Sequence, residues 1–240
     1  MQLIIGKKAI LDAIANKSLK EATVSNKDKQ FFNKVKAYLP SVKINNDKSF
    51  YEKIANGQNH QFAIGYTEGN VELTLSSFIN KVKDKTTSLI LMLDSIEDPM
   101  NFGAIIRSAE SFGVDGLIYK KDGQCQITPA VIKTSQGAIS NLNMIKVTNL
   151  SDTIAKLKEV GYWVYASCLD SQAHKLDEIK FSGKVVIIVG NENKGISPLV
   201  IKNSDFKVYI EATGKTQSLN VSAASAILLH TIQSKLKRGN

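Results

Sequence analysis

Apolar positions in this chain switch repeatedly between helical and strand spacing, and the switches mark out its elements. Ala9, Ile10, Ala13 and Ile14 fall at helical intervals, so residues 6–16 are expected as a helix. Residues 21–25 read as a short strand. Phe31, Val35 and Tyr38 share one side of a second helix over 30–39, which Pro40 ends. A strand-like segment at 42–44 precedes a third helix over 47–55, with Asp47 as N-cap. A turn around Gly57 leads into a strand over 61–66. Together these make a small alternating α/β unit of about 75 residues.

Residues 80–87, N-K-V-K-D-K-T-T, hold one large apolar side chain, Val82. They read as a linker between a domain at 1–79 and a domain at 88–240, or as the worn end of a helix. Beyond them, 89–93 is a continuous apolar run, the pattern of a strand buried on both faces of a parallel sheet. Helices are expected at 101–112, 129–134, 152–160, 198–202 and 222–236. Strands are expected at 117–119, 144–147, 162–166, 185–189 and 206–210. This alternation predicts an α/β fold, with ligands bound outside the carboxyl ends of a parallel sheet.

Composition narrows the class. The chain is 43% hydrophobic and 22% charged, ordinary for a globular protein. No apolar run reaches the roughly 18–20 residues of a membrane span, and the first residues, M-Q-L-I-I-G-K-K, lack a signal-peptide pattern. Cys125 and Cys168 fit no metal spacing and read as reduced, buried thiols. A cytoplasmic protein with no membrane and no metal is therefore expected. The net charge is +9, and residues 1–87 hold 14 Lys against 8 Asp and Glu. That asymmetry suits a phosphate-facing module. A Lys-rich surface explains it equally well, since 29 of the 31 cations are Lys.

Three loops that follow strands carry the candidate chemistry. The first, D-S-I-E-D-P-M-N-F-G-A-I-I-R-S-A over 94–109, has Asn101 as a candidate helix cap. Its Gly103 and Ala104 leave room for a close neighbour. Arg107, six residues after Asn101, is the one Arg before residue 238, which suggests a planar fork for phosphate or carboxylate. A surface Arg on an amphipathic helix is the plainer reading. The second loop, G-N-E-N-K-G-I-S-P over 190–198, offers Gly190 and Gly195 for a close ligand, and Glu192 to accept from a ribose hydroxyl or to hold Arg107. It is no P-loop, and the chain has no G-x-G-x-x-G, which disfavours an ordinary dinucleotide fold. The third, over 210–226, runs I-E-A-T-G-K-T-Q-S-L-N-V-S-A-A-S-A and feeds Ser218, Asn220 and Ser222 into a helix start. Taken alone it could be nothing more than a well-capped helix.

In combination the three loops, D-x-x-x-D-P-x-N-x-G-x-x-x-R-S-A, V-G-N-E-x-x-G-I-S and I-x-x-x-G-x-x-x-S-L-N-V-S-x-A, closely resemble the signature motifs of the SpoU/TrmH family of RNA ribose 2′-O-methyltransferases. His60-Gln61 before a strand is similar to the H-Q-G segment of that family's small substrate-binding domain. The resemblance therefore covers nearly the whole chain. The two-domain layout is most similar to members that methylate a guanosine of 23S rRNA.

This resemblance implies a homodimer with a C-terminal SPOUT parallel sheet tied in a deep trefoil knot, plus an L30e-like α/β domain at the N-terminus. It implies S-adenosyl-L-methionine bound through backbone groups at Gly190, Ile210 and Leu219. It places the functional polar residues at Asn101, Arg107, Glu192, Ser218 and Asn220, and makes 23S rRNA the expected partner. A tRNA 2′-O-methyltransferase and a non-catalytic RNA-binding protein on the same fold are the competing readings. The sequence departs from the family at Glu211-Ala212, where Pro-Met is usual, at Phe62, where H-Q-G has Gly, and at Asn193, where Gly is common. The swap at Glu211-Ala212 is tolerable where the contact is through backbone; otherwise a carboxylate at Glu211 disturbs the cofactor pocket. Elsewhere, His60 is a candidate RNA contact, His174 a solvent-facing loop residue, and His230 a core or interface residue.

Overall fold

A computed structural model describes residues 2–15, 17–67, 72–214 and 218–238. The chain divides into two units, 1–71 and 72–240.

The first unit runs β1 (Gln2–Ile5), α1 (Lys7–Ala15), β2 (Leu19–Val24), α2 (Lys29–Tyr38), β3 (Lys43–Ile44), α3 (Lys48–Ala55) and β4 (Ala63–Thr67). Its sheet has the order β1-β4-β2-β3, with β4 antiparallel to both neighbours and β3 parallel to β2. Asp28 and Asp47 cap α2 and α3 by accepting from Phe31 N and Ser49 N. Ile10, Val24, Val35 and Ala63 meet in the core between helices and sheet. Only β1 was not anticipated; its short apolar run carries no alternation to read.

His60 is buried rather than free. Its ring stacks on Tyr51 at 5.2 Å, and its Nδ1 accepts from the Phe62 N–H. Phe62 has a φ of 54°, the left-handed conformation that Gly adopts freely. The turn at the H-Q-G position is therefore kept without its glycine, at a cost of about 1–2 kcal/mol for the Cβ.

The second unit runs α4 (Leu75–Val82), β5 (Ser88–Asp94), α5 (Pro99–Ser111), β6 (Gly116–Lys120), α6 (Pro129–Ser135), β7 (Met144–Val147), α7 (Leu150–Glu159), β8 (Tyr162–Ser167), β9 (His174–Lys175), β10 (Lys184–Gly190), α8 (Pro198–Asn203), β11 (Phe206–Tyr209) and α9 (Val221–Arg238). Its seven strands lie in the order β7-β6-β5-β10-β8-β11-β9, with every pairing parallel. Alternate residues face opposite ways. Leu89, Leu91 and Leu93 of β5 and Val185, Ile187 and Val189 of β10 pack with Ile105, Ile106, Leu228 and Leu229 of α5 and α9. Ile90, Met92, Val186 and Ile188 pack on the other face with Phe78, Ile154 and Val200. The apolar runs in β5 and β10 reflect this burial on both faces.

Of the two readings of the segment 80–87, the end of a helix is the one found, for its first three residues. Residues 80–82 close α4, whose Phe78 and Val82 are buried in the second unit. The division falls at 71/72 instead of between 79 and 88. Asn80 and Lys81 lie exposed on the last helical turn, and the exposed residues 83–86 continue as the connection to β5. Gly116 marks how tightly α4 sits, since a Cβ there would run into the Phe78 ring.

Within the sheet, β5 lies between β6 and β10. The chain leaves β5 into α5, on the face with Leu91, and leaves β10 into α8, on the face with Ile188. Departing to opposite faces from neighbouring strands opens a crevice at their carboxyl ends.

Candidate functional site at the β5–β10 crevice

The turn leaving β10 is built on a glycine that no other residue can replace. A Cβ at Gly190 would fall against the backbone of Gly195 and Ile196, far inside van der Waals contact. Asn191 and Gly195 exchange two backbone hydrogen bonds of 3.0 and 2.9 Å, and Gly195 takes a φ of 68° to allow them. The buried Asn191 side chain then ties this turn to the loop after β5. Its Nδ2 donates to Ser95 O at 2.9 Å, while its Oδ1 accepts from the Asn193 and Lys194 N–H groups.

Asp94, at the end of β5, is 2% exposed. One carboxylate oxygen accepts from Ser197 N at 2.8 Å and Ser197 Oγ at 2.7 Å. The other accepts from Ser95 Oγ at 3.1 Å and from Lys120 Nζ at 3.4 Å. Burial pushes this carboxyl up, but the hydrogen bonds from Ser197 and Ser95 and the Lys120 charge outweigh it. The group is held below the usual carboxylate range.

The cap of α5 is Asp98, which accepts from Asn101 N at 2.7 Å, and not Asn101 itself. Pro99 occupies the first helical position, where its fixed φ suits a helix start. Asn101 is thereby left with its side chain free to reach across the crevice. Its Nδ2 donates to Glu192 Oε1 at 2.7 Å, and its Oδ1 accepts from Asn220 Nδ2 at 3.1 Å. Asn220 in turn caps α9, its Oδ1 accepting from Ser222 N and Ser222 Oγ. Residues 91 and 119 positions apart in the chain thus share one polar chain.

Beneath it lies a cleft of about 450 Å³ lined by Gly190, Glu192, Ile210, Ser218 and Leu219. Val189, Ile196 and Ile201 add apolar wall. Seven of the eight residues singled out from the sequence are therefore in the cleft or in the polar chain at its mouth. Ser218 lines the cleft without a side-chain bond to any described residue. Lys215, Thr216 and Gln217, within the loop over 210–226, lie outside the described residues.

Arg107 is the exception. It is exposed on α5, does not line the cleft, and makes no ion pair or hydrogen bond with the described residues. Six residues along a helix is about 9 Å of rise and about 120° of net rotation, so Arg107 and Asn101 point different ways. Glu192 is consequently held by Asn101 and not by Arg107. The carboxylate of Glu211 also stays out of the cleft, paired at 2.6 Å with Lys175, while Ala212 contributes to the lining. Gly103 has its close neighbour in α6, where a Cβ would strike Thr134 and Val131 O.

Several features escaped the sequence reading. Asp94, Asn191 and Ser197 hold the loops together from inside. Cys168 lines the cleft and, like Cys125, is half-buried rather than buried; burial pushes both thiols up. His174 is exposed, but it lies in a two-residue strand, and His230 is an exposed residue of α9 set edge-on to Phe112. Among the described residues, no helix is long and apolar enough to cross a membrane.

Comparison with known proteins gives this geometry a family. Residues 88–230 match the SpoU rRNA Methylase family. An uncharacterised tRNA/rRNA methyltransferase of Mycoplasma genitalium is 37% identical over 229 residues, 94% of each chain. The 23S rRNA (guanosine-2′-O-)-methyltransferase RlmB of Coxiella burnetii is 33% identical over 227 residues, 93% of this chain and 90% of that one. The AdoMet-bound rRNA methyltransferase of Sinorhizobium meliloti superposes with a TM-score of 0.80, covering 98% of this chain and 87% of that one at 23% identity.

Proposed function

This chain belongs to the SpoU rRNA methylase family of RNA methyltransferases, and from that premise we propose that it uses S-adenosylmethionine to methylate a ribose 2′-hydroxyl of RNA, with a guanosine of 23S rRNA as target. The observation that carries the reading is the Glu192–Asn101–Asn220 chain at the mouth of a cleft lined by Gly190, Ile210 and Leu219. A volume of about 450 Å³ lies within the roughly 300–1,000 Å³ of cofactor sites. The bare Gly190 backbone and the Ile196–Ile201 wall suit a ligand with a flat ring and a polar tail.

The donor supplies an electrophilic methyl group on a sulfonium. This chain's residues have to set acceptor oxygen, methyl carbon and sulfur in line. Backbone groups at Gly190, Ile210 and Leu219 would hold the donor. Asn101 would fix the Glu192 carboxylate, and Asn220 would fix Asn101. Ser218, its hydroxyl uncommitted among the described residues, lines the same cleft. Arg107 cannot act as a plain base, because guanidinium stays protonated in proteins. It would bind an RNA phosphate and stabilise charge developing on the ribose oxygen as that hydroxyl gives up its proton to water. Two further features belong to the same reading: an L30e-like first unit that binds RNA, and a knotted second unit that forms a homodimer.

The rRNA target is favoured over tRNA by the relative named for 23S rRNA, which matches across both units. Calorimetry with S-adenosylmethionine, followed by mapping of 2′-O-methyl positions in RNA from a deletion strain, tests the whole reading. Binding and one lost methyl mark in 23S rRNA are expected. No binding would turn the chain into an RNA-binding protein without catalysis, and a mark lost from tRNA would move the target.

A further inference from the structure

The two loops that face each other across the crevice are fastened by a carboxylate that does not itself line the cleft. Asp94 does not line the cavity, yet it bonds both backbone and hydroxyl of Ser197, the residue that closes the turn after β10. On its other oxygen it holds Ser95, which has a φ of 66°. That is a left-handed conformation costly for any residue with a Cβ, and it persists only where its surroundings over-determine it. Three bonds do so here. Ser95 Oγ donates to Asp94, Lys120 Nζ donates to Ser95 Oγ at 3.1 Å, and Ser95 O accepts from Asn191 Nδ2. Asn191 belongs to the turn that carries Glu192. The turn is thus fixed at its start by Asn191, on the Ser95 carbonyl, and at its end by Ser197, on the Asp94 carboxylate, two residues adjacent in the chain.

We propose that Asp94 is a positioning residue for cofactor binding: acting through Ser197 and Ser95, it sets residues 190–197 against the loop after β5 and so aligns Gly190 and Glu192 with Asn101. The proposal rests on the methyltransferase reading of the same cleft. An amide at this position keeps the shape but presents N–H groups to the Ser197 N–H or to the Lys120 ammonium, so one anchor opens whichever way the amide turns. The turn remains tethered by Asn191 and no longer has a single setting. Donor affinity suffers first, because the turn supplies part of the donor's cradle. Turnover at saturating donor suffers less, since a bound donor selects the correct setting.

The test uses the full chain and the variants Asp94→Asn, Ser197→Ala and Ser197→Thr, each first confirmed folded by circular dichroism. Two measurements are made: amide hydrogen exchange of residues 190–197 without ligand, and S-adenosylmethionine affinity and KM beside kcat on RNA. For Asp94→Asn and Ser197→Ala, exchange in the turn speeds up, affinity weakens about tenfold or more, and KM for the donor rises by more than kcat falls. Ser197→Thr, which keeps the hydroxyl, restores affinity to within about threefold of the parent. Unchanged exchange in the turn overturns the proposal. So does faster exchange with donor affinity within twofold of the parent. A variant that unfolds leaves the other two to decide. Failure of the parent protein to bind the donor is a different result: it removes the methyltransferase reading and this proposal with it, while the exchange data stand on their own.

Discussion

A guanidinium with no partner among the described residues is an unusual thing to leave on a helix in a chain where 29 of 31 cations are Lys. Arg107 makes no ion pair with the described residues and stands about 9 Å along α5 from Asn101. A group that only stabilised the fold would have a carboxylate beside it or would lie along the surface as packing. The expected outcome is that Arg107→Ala abolishes methyl transfer while donor affinity stays within a few fold. Arg107→Lys recovers little, because an ammonium cannot make the bidentate contact. Filter assays of RNA methylation beside donor calorimetry check both, and turnover at the parent rate would remove Arg107 from the mechanism. At this scale the sequence was legible where a loop motif named the polar residue, as it does for Asn101, Glu192 and Asn220. It was silent on Asp94 and Asn191. Each works by bonding within the protein, and a lone carboxylate or amide after a strand reads as an ordinary turn residue. It left Glu211 open between two outcomes, since a motif position does not reveal which way a side chain turns.

Among elements, the turn after β10 is the one whose geometry is most tightly set. Gly190 is the last residue of its strand, paired with Asp94 of β5. Its missing Cβ lets the Gly195 peptide fold back on it. Gly190→Ala pushes that peptide away and breaks the two Asn191–Gly195 backbone bonds, a loss of about 1–3 kcal/mol with the strain included. Urea denaturation is expected to register that loss, and calorimetry to find donor binding reduced by at least about a hundredfold, far more than so modest a destabilisation of a folded chain explains. Donor binding within a few fold of the parent would mean that the turn tolerates a second path. Elements with long apolar runs or clear helical spacing, β5 and β10 above all, could be drawn from sequence to within a residue or two. The elements missed, β1, β9 and most of α4, are two to eight residues long. They owe their order to a neighbour: β4 for β1, β11 for β9, and the floor around Gly116 for α4. A local pattern does not contain that neighbour.

For the whole molecule, the outward faces of α5 and α9 raise the question of a second copy. The two helices pack on each other over the same face of the sheet. Met100, 59% exposed, and Arg107 lie on the outward side of α5, where Ala104 is only partly covered. On α9, Ala223, Ile227 at 39%, and His230 are exposed. Small and apolar residues dominate both stripes, in contrast to the charged outer face of α7 with Lys156, Lys158 and Glu159. Such a surface suits helices packed closely against a symmetry mate, where residues on a two-fold axis meet their own counterparts. A stable interface buries roughly 1,200–2,000 Å² in all, more than these two stripes supply alone, so loops beside them must join in. Sedimentation at micromolar concentration is expected to give twice the 26.3 kDa chain mass. Ile227→Glu would place a carboxylate opposite its own copy. Burying unpaired like charges costs several kcal/mol, enough to weaken association by more than about a hundredfold. The variant should then sediment as a monomer with donor affinity close to the parent's, because every residue of the Glu192–Asn101–Asn220 chain comes from one copy. Its methyl transfer should fall, since Arg107 stands on the surface that a second copy would cover. A parent protein that sediments as a monomer removes the homodimer from the reading, and a monomeric variant with full activity removes its connection to catalysis.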